Sequence, residues 1–80
     1  MNASKGLVVK AIAGRDSGSF FAVVETDDKY CFIADGKSRK LSTPKRKSLK
    51  HLKLTEKYVD LNNITDKKLR NMLREYSDLT

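Results

Sequence analysis

The sequence predicts a mainly β fold, a small antiparallel barrel followed by one C-terminal α-helix. Two observations carry this reading. The first half alternates short β-branched or apolar runs with clusters of Gly, Asp and Ser, the pattern of strands joined by tight turns. After Ile64 the apolar spacing changes to a helical period. A chain of 80 residues has room for one small core. We therefore expect a single domain over 1–80, with the barrel at 5–55 and the helix at 64–77.

The strands follow in order. Leu7-Val8-Val9-Lys10-Ala11-Ile12 is the first, stopped by Gly14-Arg15-Asp16-Ser17-Gly18, where two glycines bracket polar residues. Phe20 to Val24 is the second, and Thr26-Asp27-Asp28-Lys29 turns the chain. Tyr30 to Ala34 is the third. Asp35-Gly36 then favours a primed hairpin turn, since both residues tolerate positive φ, which places a solvated edge strand from Lys37. Pro44 breaks that pattern and leaves Ser42 to Lys47 irregular or extended. Leu49, His51, Leu52 and Leu54 form the last strand. Near-continuous apolar runs joined by short turns fit a sheet that curls to bury its inner face.

The helix is expected near residues 65 to 77. Leu69, Met72, Leu73 and Tyr76 stand at i, i+3, i+4 and i+7, an apolar stripe that would pack on the barrel. Asn63 or Thr65 serves as N-cap, and Asp66 places a carboxylate where the helix dipole favours one.

Charge is the most informative feature of the composition. The formal net charge is +7, and it is not evenly spread. Residues 1–36 carry four basic and five acidic side chains, and residues 54–80 carry five of each. Residues 37–53 carry eight basic side chains, Lys37, Arg39, Lys40, Lys45, Arg46, Lys47, Lys50 and Lys53, and no acidic one. Solubility does not require that carboxylates be excluded from such a stretch. Like charges repel, and a polyanionic partner supplies the missing counter-charge. A basic membrane-surface helix would need an opposite apolar face, and Pro44 opposes a helix here. No apolar run approaches the roughly 20 residues that cross a bilayer, and the opening MNASKG lacks the apolar core of a signal peptide. The expected location is the cytoplasm.

Sites for chemistry are sparse. Cys31 is the one cysteine and His51 the one histidine. Cys31 lies among Tyr30, Phe32 and Ile33, where a thiolate is disfavoured, so we read it as core. One cysteine makes neither an internal disulfide nor a zinc site. We expect no catalytic residues, no metal, no cofactor and no small-molecule substrate. The segment from Gly14 to Gly18 has neither the spacing of a Walker loop nor the third glycine of a dinucleotide fingerprint, and strand-like Phe20 and Phe21 follow it. It is a strand-connecting turn, which also offers Arg15 and backbone amides to a phosphate. Phe20, Phe21, Tyr30 and Phe32 serve as core or as stacking faces for bases, and His51 as a packing or stacking residue.

Residues Gly6 to Val9, followed by Ile12-Ala13-Gly14-Arg15-Asp16-Ser17-Gly18, resemble the opening strand and glycine turn of the KOW domain. Asp35 to Lys40, Pro44 to Lys47 and Leu49 to Leu52 resemble short bacterial KOW-domain proteins related to archaeal and eukaryotic ribosomal proteins of the fourteen-e, six-e and twenty-seven-e classes. The likeness covers residues 6 to about 54 and excludes the helix. Two positions depart from the usual pattern: Ser17 replaces the turn lysine, and Phe21 stands where many members have glycine. The resemblance implies an SH3-like, KOW-type barrel that binds structured RNA, commonly ribosomal RNA, without catalysis. It assigns RNA contact to Arg15, Lys37, Arg39, Lys40, Lys45, Arg46, Lys47, Lys50 and His51, and the charge pattern adds Lys53. The expected partner is RNA or the ribosome, with a role in translation, and the helix is available for protein contacts. The rival reading is a protein-interaction module whose basic face grips an acidic protein.

Overall fold

A computed structural model of the chain describes residues 4–79, and the side chains of residues 4–76. Five strands and one helix follow in the order β1 (Leu7–Ala11), β2 (Phe20–Thr26), β3 (Tyr30–Ala34), β4 (Lys45–Ser48), β5 (Leu52–Tyr58) and α1 (Asp66–Leu79), with a 3₁₀ turn at Leu49–His51. The strands form one antiparallel sheet in the spatial order β4-β3-β2-β1-β5. This mainly β arrangement with a C-terminal helix is consistent with a small SH3-like barrel.

Strand alternation divides the core in two. Leu7, Val9, Ala11, Phe21, Val23, Cys31, Ile33 and Leu52 face inward and pack together, with Leu49 and Leu54 at their margin. Val8, Ala22 and Ala34 point to the outer face, where Leu69 and Leu73 of α1 cover them together with Val59. Each large apolar side chain so buried contributes about 1.5–3 kcal/mol. The near-continuous apolar runs of β1 and β2 thus reflect burial on both faces.

The ladder is irregular at two places. Between Leu7 and Val9 the register of β1 on β5 shifts, and the Thr55 hydroxyl donates to the Val8 carbonyl at 2.6 Å. The second shift lies between Val23 and Glu25 on β2, which leaves Val24 without an opposite residue on β3.

Two expectations need correction. No strand starts near Lys37. Instead Asp35 folds the following residues into a loop: its Oδ1 accepts from the N–H of Lys37 (2.9 Å) and Arg39 (2.8 Å), and its Oδ2 from the Ser38 hydroxyl (2.9 Å). The N–H groups of Asp35 and Gly36 both reach the Arg39 carbonyl, at 2.9 and 3.0 Å, so the chain closes on itself before it can pair with β3. The fourth strand is Lys45–Ser48, which takes up the extended end of the Ser42–Lys47 segment and adds Ser48, and it runs from the first residue after Pro44 because proline is tolerated ahead of an edge strand. Leu49 and His51 belong to the 3₁₀ turn rather than to the last strand, which begins at Leu52 and extends past Leu54 to Tyr58.

The helix matches its expected stripe. Leu69 and Leu73 are buried, and Met72 and Tyr76 pack at the edge of the same cluster. Thr65 is the N-cap, its hydroxyl oxygen accepting from the Lys68 N–H at 3.2 Å, whereas Asn63 sits in the preceding turn at φ 55°. Asp66 faces the 35–44 loop, where its Oδ1 accepts from the Leu41 N–H at 2.8 Å. Among the described residues no helix is long and apolar enough to cross a membrane.

Candidate nucleic-acid interface

The basic residues sit on two kinds of support, a loop pinned at both sides and an edge strand. The 35–44 loop carries Lys37, Arg39 and Lys40. On one side it is held to α1 by the bond from Leu41 to Asp66. On the other it is held to the 12–19 loop by Asp16, whose Oδ2 lies 3.1 Å from Arg39 Nη2 and 4.0 Å from Lys47 Nζ. Lys47 Nζ also donates to the Ala13 carbonyl at 3.1 Å. The loop is therefore a fixed display for its two exposed cations, Lys37 and Lys40.

Asp16 changes the reading of the charge cluster. The basic stretch has no carboxylate of its own, but tertiary folding brings one in from 23 positions before Arg39. The Lys47 side chain is only 11% exposed and that of Arg39 30% exposed, so they act first as ties of β4 and the 35–44 loop to the 12–19 loop. Gly14, at φ 81°, leaves the space that Lys47 uses, since a Cβ there would come within 3.1 Å of Nζ. The aspartate in the glycine turn was the available signal: a carboxylate is out of place in a loop that only grips phosphate.

Register settles which way β4 points. Cys31 faces Lys47, Phe32 faces Arg46 and Tyr30 faces Ser48. Opposite residues share a face, so Lys47 turns inward with Cys31 while Arg46 joins Phe32 and Tyr30 outside. The Arg46 guanidinium lies over the Tyr30 ring at 4.5 Å from its centroid. Tyr30 and Phe32 are half-buried, whereas Phe21 is fully buried, so the aromatics divide between stacking surface and core. Charges on an edge strand also oppose pairing with a second sheet.

The other expected residues are spread around these supports. Arg15 is exposed on the 12–19 loop, Lys45 at the start of β4, Lys50 on the 3₁₀ turn and Lys53 on β5. His51 is half-buried, and its carbonyl accepts from the Ile12 N–H at 2.9 Å. Three cations escaped the sequence reading. Lys10 stands directly opposite Lys53 on the outer face, with its Nζ 5.6 Å from the centre of the Phe20 ring. Arg70 and Arg74 line a groove with Lys37. Their i, i+4 spacing on the helix was the signal available for the arginines, and the outward parity of Lys10 in β1 for the lysine.

Titratable groups with a clear shift are not placed for catalysis. Burial pushes the Cys31 thiol above its ordinary value; the Thr26 hydroxyl at 4.0 Å opposes this, and the charge on Asp27 adds to it. Asp27 is held below the usual carboxylate range by the N–H groups of Lys29 and Tyr30, which its Oδ1 accepts at 3.0 and 2.9 Å in the β2–β3 turn. Among the described residues no three His, Cys, Asp or Glu side chains gather as metal ligands. Cys31→Ser is expected to cost about 1–2 kcal/mol in urea unfolding, the penalty of a hydroxyl in an apolar site, and to leave RNA affinity within twofold. A folded Cys31→Ser protein that had lost binding would assign the thiol a functional role. No family model matches this sequence, and no curated protein matches it significantly.

Proposed function

We propose that the chain is a non-catalytic, KOW-type RNA-binding protein that contacts ribosomal RNA and acts with the ribosome in the cytoplasm. The observation that carries this reading is the concentration of all the excess charge in residues 37–53, presented on a pinned loop and an edge strand. Arg46 offers a planar, forked donor beside Tyr30, a pairing suited to phosphate and base faces. Lys37, Lys40, Lys45, Lys50 and Lys53 act as point charges along the backbone, and Arg15 adds a second forked donor. Arg39 and Lys47 serve chiefly to hold the loops that present the rest. His51 is half-buried as the last residue of the 3₁₀ turn that carries Lys50. Catalysis has little support in a buried thiol and a lone imidazole.

An acidic protein partner is the competing reading, and a broad exposed apolar patch on the helix side would favour it. The exposed large apolar side chains among the described residues are Ile12 and Tyr58, which flank opposite ends of β1 and form no such patch.

The salt dependence of binding tests the mechanism. Contact with about five to seven phosphates gives a slope of log K against log salt of roughly −4 to −6. Fluorescence titrations with a structured ribosomal RNA fragment between low and physiological salt measure it. A slope near zero would remove the phosphate reading.

A further inference from the structure

An open groove of about 510 Å³ runs between the residues leading into β2, the start of the 35–44 loop and α1. Gly18, Phe20 and Leu73 supply its apolar and backbone surface, and Lys37, Arg70 and Arg74 its charge. Asp35 also borders it, but both of its carboxylate oxygens are engaged by the loop. Three separated segments meet here, so no contiguous motif announces the groove.

One like-charge placement lines it, and a second reaches its Phe20 ring. Arg70 and Arg74 share a helix face at i, i+4, an unfavourable pairing of like charges. Lys10 and Lys53 are direct cross-strand neighbours, which is also destabilising, and the Lys10 ammonium lies beside the Phe20 ring. Among residues with described side chains, no carboxylate lies within 4.0 Å of Lys37, Arg70, Lys10 or Lys53. The half-buried Phe20 ring therefore has the Lys10 ammonium of β1 beside it and shares the groove with cations of the 35–44 loop and α1. The volume falls in the range of small-ligand sites, large enough for one nucleotide.

We propose that this groove holds an unpaired nucleotide of the bound RNA, with its base on Phe20 and its flanking phosphates on Lys37, Arg70 and Arg74. The inference rests on the RNA-binding reading and extends it: the strand and loop cations grip structured RNA, and the helix groove captures an adjoining single strand. Aromatic stacking makes the site tolerant of sequence, because every base has a π-face.

The test uses the full chain and three probes: an eight-nucleotide oligoadenylate, an abasic RNA backbone of the same length and charge, and a blunt RNA duplex. Phe20→Leu keeps the apolar packing and removes the ring. Binding is followed by fluorescence anisotropy, with folding of each variant checked by circular dichroism. Phe20→Leu is expected to lower oligoadenylate affinity at least fivefold and to leave abasic binding unchanged. Arg70→Gln/Arg74→Gln is expected to weaken both single-stranded probes at least tenfold and the duplex less than threefold. Oligoadenylate binding that ignores both variants, while the duplex still binds, would overturn the groove assignment and leave the broader reading standing. Failure of wild type to bind any of the three probes would overturn both. Oligoglutamate that competes as well as oligoadenylate, through Arg70 and Arg74 but not Phe20, would assign the groove to an acidic protein and overturn the nucleotide proposal.

Discussion

Lys45→Ala/Arg46→Ala is expected to bind a structured ribosomal RNA fragment at least tenfold more weakly than the wild type at fixed salt, and Lys67→Ala/Lys68→Ala only a few-fold more weakly. Each pair removes two positive charges, and all four side chains are exposed. They differ in their surroundings. Lys45 and Arg46 lie on the edge strand, where Arg46 stacks over Tyr30 and shares a face with Phe32. Lys67 and Lys68 occupy the first turn of α1 beside Asp66, outside the groove and, among the described residues, with no aromatic ring stacked against them. At roughly 1 kcal/mol or more per charge-assisted contact, loss of the first pair multiplies to tenfold or beyond. Circular dichroism and thermal melts of both variants are expected to resemble wild type, because exposed charges contribute little to stability. Equal losses from the two pairs would mean that net charge alone drives association, and the patterned interface would be withdrawn.

Gly36→Ala is expected to destabilise the fold by about 3 kcal/mol or more, a fall in Tm of more than about 10 °C for a chain of this size. Gly36 sits at φ 77°, and a Cβ there would collide with the Asp66 carbonyl oxygen while lying 2.9 Å from the Asp66 carbonyl carbon and 3.1 Å from the Arg70 nitrogen. All three are backbone atoms of the first turns of α1, which cannot shift without withdrawing Leu69 from the outer core. Gly18→Ala is the matched control. Its φ is 91°, yet a Cβ there meets nothing within 4 Å, so only the backbone penalty of about 1–2 kcal/mol applies. The difference between the two substitutions in urea unfolding isolates the close approach of helix to loop. Similar costs at both positions would mean that α1 docks elsewhere.

Much of the fold was legible because it is local. β3 begins at Tyr30 and ends at Ala34 as its residues indicate, bounded by the Asp27 turn on one side and Asp35 on the other. The 3.6-residue stripe from Leu69 to Tyr76 located α1 and the face it buries. Cys31 read as core from its apolar neighbours, and it is fully buried.

The errors arose where a side chain competes with a turn propensity. Asp35-Gly36 has the composition of a hairpin turn, but the Asp35 carboxylate captures the next N–H groups, and Gly36 is needed for contact with α1 rather than for a turn between strands. The second of these depends on a helix thirty residues further along, which no local window contains.

By itself the sequence determined the first three strands, the helix, their apolar faces and the concentration of positive charge in residues 37–53, since all of these are properties of neighbouring residues. Only the tertiary structure decided which cations are available. Folding brings Asp16 against Arg39 and Lys47, turns Arg46 outward onto Tyr30, and sets Lys10 and Lys53 side by side. It also gathers Lys37, Arg70 and Arg74 around Phe20. Charge adds along a chain without regard to geometry, but a phosphate or a base meets only the groups that packing and register place on one surface.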